Sequence, residues 1–407
     1  MMQIQKISGG VTAPAGFLAS GIHCGIRKNK EKRDLALIYS KTPCTAAAVH
    51  TQNLVCGAPN TVTRRHLENH VAQAIICNSG NANTCNADGE QKAEMMAELI
   101  AKRLSLQPEN IVVASTGVIG QILPIEPIEN GADQLVAELS ETGSTHAAEA
   151  IITTDTVIKE TACEFTLNGK TCRMGGIAKG SGMIHPNMAT MLSFLTTDAA
   201  ISGEMIQKAL TRVIGDTFNM VSVDGDTSTN DMVALLASGL AGNQEITTEG
   251  EDYEIFCQAL HTLCSEICRR IAKDGEGATK LLVCHVSGAK TVTDAKKAAK
   301  SVICSSLLKA AMFGSDANWG RVLCALGYSG ADLDVHTVAV SFVSKAGSVR
   351  VCEHGAGIDF SEEIAKTVLS EDEILIEITL QDGSASAEAY GCDLTYDYVK
   401  INGDYRT

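Results

Sequence analysis

Short apolar runs rich in β-branched residues recur along the chain, and between them the apolar positions fall at helical spacing. AQAIICN (72–78), NIVVAST (110–116), EAIITTDT (149–156), MLSFLTT (191–197) and KLLVCHV (280–286) have the length and composition of buried strands. After Ser202, placed as an N-cap, Ile206, Ala209, Leu210, Val213 and Ile214 share one face of a predicted helix. A second helix is predicted from Asp294 to about Met312, with Gly314 as its stop. Strands alternating with helices make this an α/β chain. From Val335 the period changes to two: TVAVSFV, ILIEITL and SASAEAYG alternate, QDG at 381–383 reads as a hairpin turn, and SEEIAKTVL reads as a helix packed on this smaller sheet. The expected division is an α/β region over 1–280 and a smaller α+β domain over 281–407, with no low-complexity linker and no tandem repeat.

Composition narrows the functional classes. A chain of 407 residues with 45% apolar content buries a large core. Its net charge of −15 argues against nucleic acid or an anionic membrane as the main partner, since both require a basic face. No apolar run reaches about 18 residues, and MMQIQKISGG lacks the basic-then-apolar order of a signal peptide, so the expected compartment is the cytoplasm. The 15 cysteines are odd in number and lie in surroundings such as IICN, SVICSS and RVLCAL, which predicts buried thiols. Cys264 and Cys268 are spaced C-x-x-x-C with no second pair nearby, so no metal site is expected.

The densest chemistry lies in KGSGMIHPNMATML (179–192). Gly180 and Gly182 are expected to permit φ > 0, and Pro186 holds its own φ while biasing His185 toward extended geometry. Ala189 offers little bulk beside the carbonyl that the Thr190 hydroxyl would attack. If the Ala189–Thr190 bond breaks, the new α-amine, titrating near pH ~8, becomes a general base on the residue that carries the nucleophile. Thr116 and Gly117 follow a strand in ASTG, where a hydroxyl and a bare N–H can face a developing oxyanion. Taken alone, Lys179 and Glu276 read as solvated surface charges, His185 as a hydrogen-bonded loop residue, and NSGNANTCNADG (78–89) as a turn-rich segment without a chemical role. Asp224 and Asp226 lack the further ligands of a calcium loop, so DGDTSTND reads as a turn. Neither G-x-S-x-G nor a phosphate-cradling loop occurs.

These blocks together resemble the ornithine acetyltransferases, the glutamate N-acetyltransferases of arginine biosynthesis. KGSGMIHPNMATML, ASTGVIG (114–120), TTDT (153–156), DGDTSTND (224–231), DGEGATK (274–280), GSDANWGR (314–321) and the terminal YVKINGDYRT stand in that family's order. The resemblance implies an N-terminal-nucleophile-like αββα layered sandwich, cleaved between Ala189 and Thr190 into an α chain (1–189) and a β chain (190–407). It implies Thr190 as nucleophile, Thr116 and Gly117 as the oxyanion pair, and Thr153, Lys179, Thr190, Glu276, Asn402 and Thr407 as substrate contacts. The implied reaction moves an acetyl group from N2-acetyl-L-ornithine to L-glutamate in a ping-pong sequence without a cofactor, some members also taking acetyl-CoA as donor. An α2β2 heterotetramer is the implied assembly. Two other classes stay open: a self-processing amidohydrolase or aminopeptidase with water as acceptor, and a non-catalytic metabolite-binding protein whose chain stays whole.

Overall fold

Runs without a polar face become strands when helices cover both sides of the sheet. The computed structural model describes residues 4–185 and 191–404. It shows two units, one built from described residues of 1–180, 186–219 and 227–267, the other from 181–185, 220–226 and described residues of 268–407. In the first, nine strands form one sheet. Gln5–Ile7, Lys159–Leu167, Lys170–Lys179, Leu192–Thr197, Met232–Ala237, Leu35–His50, Val71–Asn78 and Ile111–Ser115 lie in that order, with Phe17–Ile22 also paired to Leu35–His50. Side-chain alternation splits the apolar runs between two cores. Leu35, Leu37, Ala74, Ile76, Ile111 and Val113 pack with Val62 and Met96 on one face, while Ala36, Ile38, Ile75, Cys77, Val112 and Ala114 pack with Ala147 and Ile151 on the other.

The second unit holds a seven-stranded sheet in the order Ala356–Gly357, Gly347–Glu353, Ala339–Ser344, Glu373–Thr379, Leu281–Ala289, Ala385–Cys392 and Val221–Ser222. Helices Val292–Cys304, Ser306–Phe313, Trp319–Gly327 and Glu362–Leu369 contribute to its core. The fold class is mixed α/β, with layers of helix on sheet.

Most predicted elements form. The helix Gly203–Asp216 starts at Ser202, whose hydroxyl accepts from the Met205 N–H (3.4 Å), and its five predicted core positions are buried. Three expectations need correction. EAIITTDT is not a strand: its first residues end the helix Ser144–Ile151, where buried Ala147, Ala148, Ala150 and Ile151 follow the helical period, and the rest is loop. The QDG segment does not close a hairpin, because Leu281–Ala289 lies between Glu373–Thr379 and Ala385–Cys392 and pairs with both. The helix from Asp294 breaks at Ser305, which ends one helix and caps the next by accepting from Leu308 N–H (3.3 Å). Gly314 has φ −76° and the left-handed turn falls on Ser315 (φ 54°). All 15 cysteines are free; Cys85 and Cys324 are exposed, Cys24, Cys56 and Cys304 are half-buried, and the other ten are buried.

Candidate active site

Ala189, Thr190 and Thr407 lie outside the described residues. The strand that follows Thr190 does form. Leu192–Thr197 pairs antiparallel with Lys170–Lys179 (Lys179 opposite Leu192) and parallel with Met232–Ala237 (Met232 opposite Leu192), and Met232 pairs in turn with His50. Lys179, Leu192, Met232 and His50 therefore form one row at a sheet end, two residues beyond position 190.

Lys179 is 8% exposed, which corrects the surface-charge reading. Its ammonium has no ion pair or hydrogen bond with any described residue. Asp155, 5% exposed, organises the backbone beside it. Its Oδ1 accepts from Gly180 N–H (2.7 Å) and Lys159 Nζ (2.6 Å), and its Oδ2 accepts from Thr153 N–H (3.0 Å). One carboxylate thus joins the TTDT block to the start of the glycine loop. Burial pushes Asp155 up, but the ammonium groups of Lys159 and Lys179 with the Gly180 N–H outweigh it and hold the carboxyl at about 2.

Thr116 and Gly117 leave the end of Ile111–Ser115, where the Thr116 N–H donates to Asn78 O (3.0 Å). The half-buried Thr116 hydroxyl has no hydrogen-bond partner among the described residues. Gly117 has φ 131°, and a Cβ there would sit 2.7 Å from the Gly80 carbonyl carbon and from Asn81 N, so the backbone admits no side chain. The neighbouring NSGNAN segment is the frame of this turn. Asn78 Nδ2 donates to Ser115 Oγ (2.6 Å), Ala82 N–H donates to Val118 O (3.0 Å), and Asn81 Nδ2 donates to Gln121 O (3.0 Å). Asn230, from the DGDTSTND block, donates to Ser115 O (2.9 Å) and Ala82 O (2.5 Å) while accepting from Thr84 Oγ1 (2.7 Å).

In the second unit Glu276 is 9% exposed, again against the surface reading, and its Oε2 accepts from Asn402 Nδ2 (2.8 Å). Two residues proposed as substrate contacts thus meet directly. Gly182 lacks the expected positive φ, and space explains the glycine: a Cβ would lie 2.3 Å from Glu276 Cδ and 2.4 Å from each carboxylate oxygen. The left-handed residue is Met183 (φ 55°), and the turn there is held by Asp224, whose oxygens accept from Met183 N–H (2.6 Å) and Ile184 N–H (2.9 Å). His185 Nδ1 lies 3.0 Å from Ser222 Oγ and 3.6 Å from Cys304 Sγ. Burial, aided by Lys300, lowers the imidazole to about 4, so it stays neutral as a loop residue. Among the described residues no group of His, Cys, Asp and Glu is placed to hold a metal, and no helix is long and apolar enough to cross a membrane.

Residues 18–407 match the model of the ArgJ family. The chain belongs to the ArgJ family. The arginine biosynthesis bifunctional protein ArgJ 1 of Clostridium acetobutylicum is 52% identical over 392 residues, 96% of each chain. The arginine biosynthesis bifunctional protein ArgJ of Bacillus subtilis is 46% identical over 407 residues, covering 100% of this chain and 98% of its own. A crystal structure of the Bacillus halodurans arginine biosynthesis bifunctional protein is 45% identical with TM-score 0.50, covering 53% of this chain and 100% of that one. The sequence by itself offers no role for Asp155 or Asn230; the one signal is that each sits inside a block that carries the family resemblance.

Proposed function

We propose that this chain is a self-processing glutamate N-acetyltransferase of arginine biosynthesis, transferring acetyl from N2-acetyl-L-ornithine to L-glutamate through an ester on Thr190. The carrying observation is Lys179: the residue is 8% exposed and its ammonium, though it feels the charges of Asp155 and Asp231, makes no ion pair or hydrogen bond with a described residue, so it can take a substrate α-carboxylate. In the second unit Glu276, held by Asn402, offers a carboxylate that can take an amine.

In processing, Thr190 Oγ attacks the Ala189 carbonyl carbon, the C–N bond breaks as the nitrogen takes the hydroxyl proton, and water hydrolyses the ester to leave a carboxylate on Ala189 and a free amine on Thr190. In catalysis the amine takes the Oγ proton as Oγ attacks the acetyl carbon, the C–N bond of acetyl-ornithine breaks, and the proton leaves on ornithine. Glutamate's amine then attacks the acetyl-threonine and the C–O bond breaks, returning a proton to Oγ. The Thr116 hydroxyl and Gly117 N–H receive the oxyanion at each transfer. Support for processing at 189/190 comes from the solved Bacillus halodurans chain, matched over its whole length by 53% of this one, the share that a product running from Thr190 to Thr407 would have. The two products stay together, two pairs assemble as α2β2, and the enzyme works in the cytoplasm; acetyl-CoA serves as a second donor.

Acetyl-ornithine consumption with and without glutamate tests the reading. Ornithine release that rises steeply with glutamate, matched by acetylglutamate formed, is expected. Release independent of glutamate, with acetate as product, would replace it by hydrolysis.

A further inference from the structure

The chain carries 33 lysines and arginines against 48 aspartates and glutamates, yet residues 27–33 read RKNKEKR, five basic positions to one acidic. A basic loop on an acidic protein is a local attractor for anions. Its base is fixed. Buried Asp34 accepts from Cys24 N–H (2.6 Å), Gly25 N–H (3.2 Å) and Arg27 N–H (2.9 Å). The Arg27 guanidinium donates to Ser79 O (2.7 Å) and to Ile152 O, and Arg33 pairs with Glu149 (2.9 Å). Asn29 turns the tip, its Oδ1 accepting from Glu31 N–H (3.0 Å) and its carbonyl from Lys32 N–H (3.3 Å). Lys28, Lys30 and Lys32 are exposed, and none of their ammonium groups has an ion pair or hydrogen bond among the described residues. The loop stands beside the oxyanion turn. A Cβ on Gly80 would lie 2.4 Å from Ile26 Cγ2 and 3.3 Å from Arg27 Cγ, and a Cβ on Gly117 would lie 2.7 Å from the Gly80 carbonyl carbon, so Ile26, Gly80 and Gly117 follow one another in contact. Ile152, whose carbonyl Arg27 holds, precedes Thr153 of the TTDT block. All of these residues belong to the first unit.

We infer that Lys28, Lys30 and Lys32 are the docking site for the phosphate groups of acetyl-CoA, the second acetyl donor. The inference rests on the proposed function above, and chemistry selects the ligand. Acetyl-ornithine and glutamate carry no phosphate, whereas CoA is a polyanion that a chain of net charge −15 repels unless a local patch attracts it. Lysine ammonium groups on flexible stems act as point charges suited to phosphate, and a loop with a fixed base keeps them near the turn without filling it. The phosphates rest on the loop while the flexible arm of CoA carries the thioester toward the Thr116–Gly117 turn. In the transfer the C–S bond breaks in place of the C–N bond of acetyl-ornithine, and the proton leaves on the CoA thiol.

The test compares wild type with a Lys28→Ala, Lys30→Ala, Lys32→Ala triple variant on three donors, with glutamate as acceptor: acetyl-CoA, acetyl-pantetheine, which has the same thioester and no phosphate, and acetyl-ornithine. An exposed charge pair is worth up to about fivefold, so the triple variant should lose roughly tenfold or more in kcat/KM for acetyl-CoA relative to acetyl-ornithine, with the loss in KM. The wild-type preference for acetyl-CoA over acetyl-pantetheine should collapse in the same variant, and arginine at the three positions should restore it. A triple variant with wild-type acetyl-CoA kinetics, or one that loses acetyl-CoA and acetyl-pantetheine alike, would overturn the inference. Calorimetric titration of CoA into both proteins decides without turnover: binding by wild type that the variant weakens roughly tenfold or more supports the site, and equal binding or none removes it. Wild type that moves acetyl from acetyl-ornithine to glutamate but neither uses nor binds CoA would remove the docking site and leave the transferase reading standing. Failure with acetyl-ornithine as well would fall on that reading, and the CoA titration would still judge the loop.

Discussion

Replacing Gly182 by alanine puts a methyl group into the carboxylate of Glu276. The added Cβ would stand 2.3 Å from Glu276 Cδ, well inside contact distance, and Gly182 has no positive φ to penalise the new side chain. The obstacle is the far end of a flexible side chain, so Glu276 swings aside and the backbone stays. That movement breaks the 2.8 Å bond from Asn402 and takes the carboxylate from its place. A hydrogen bond to a charged group contributes about 1.5–3 kcal/mol, which at 1.4 kcal/mol per decade is a loss of roughly 10- to 150-fold in kcat/KM. The loss should fall on KM for acetyl-ornithine, because the contact holds the substrate equally in ground and transition states. Stability should change little, as alanine restricts the unfolded chain and offsets part of the local strain. Steady-state kinetics with a melting curve on the same sample check this. A lowered melting temperature with unchanged KM would refute the reasoning and return Glu276 to a structural role.

Thr116→Ala removes a hydroxyl donor and keeps the Gly117 N–H, so turnover should fall roughly 10²–10³-fold with KM little altered; a lower melting temperature with normal turnover would take Thr116 off the catalytic list. Gly117→Ala meets both φ 131° and Cβ contacts of 2.7 Å to backbone, and should abolish soluble, active protein; a stable, active variant would refute the close packing. Asp155 has its folded pKa depressed to about 2, so its contribution is present above the unfolded value near ~3.9 and lost as pH falls through ~2. The stability advantage of wild type over Asp155→Asn should shrink by about 2 kcal/mol across that window in denaturant titrations, and a pH-independent difference would contradict the assignment.

Local pattern carried far where one side chain answers to its own neighbours. Ser202 and its helix face, and the strands at 72–78, 111–115, 192–197 and 281–286, follow from composition and period because these runs are buried along nearly their whole length. Pairing partners were less legible. QDG has turn chemistry, yet whether two strands meet across it depends on Leu281–Ala289, about ninety residues upstream, entering between them. EAIITTDT has β-branched residues, but the alanines before them bury at helical spacing, and packing decides. At the site, the residue types at 116, 117, 179 and 276 suggested chemistry, while the burial of Lys179 and Glu276 came from strand ends and loop contacts distant in sequence. Gly182 is glycine for want of space beside Glu276, a reason that no local rule supplies. Asp155 accepts from Gly180 N–H and Asn230 donates to Ser115 O and Ala82 O, each in a block distant in sequence, so their place in the frame shows only once the chain is folded.

The central claim is that a threonine made terminal by the chain itself carries the acetyl group, and N-terminal sequencing of the bands from a denaturing gel tests it most directly. Freshly purified active enzyme should give two fragments, the smaller-numbered one ending at Ala189 and the other beginning TMLSFL; Thr190→Ala should give one intact, inactive chain. Full activity in a preparation that runs wholly as the intact 407-residue chain would contradict the account.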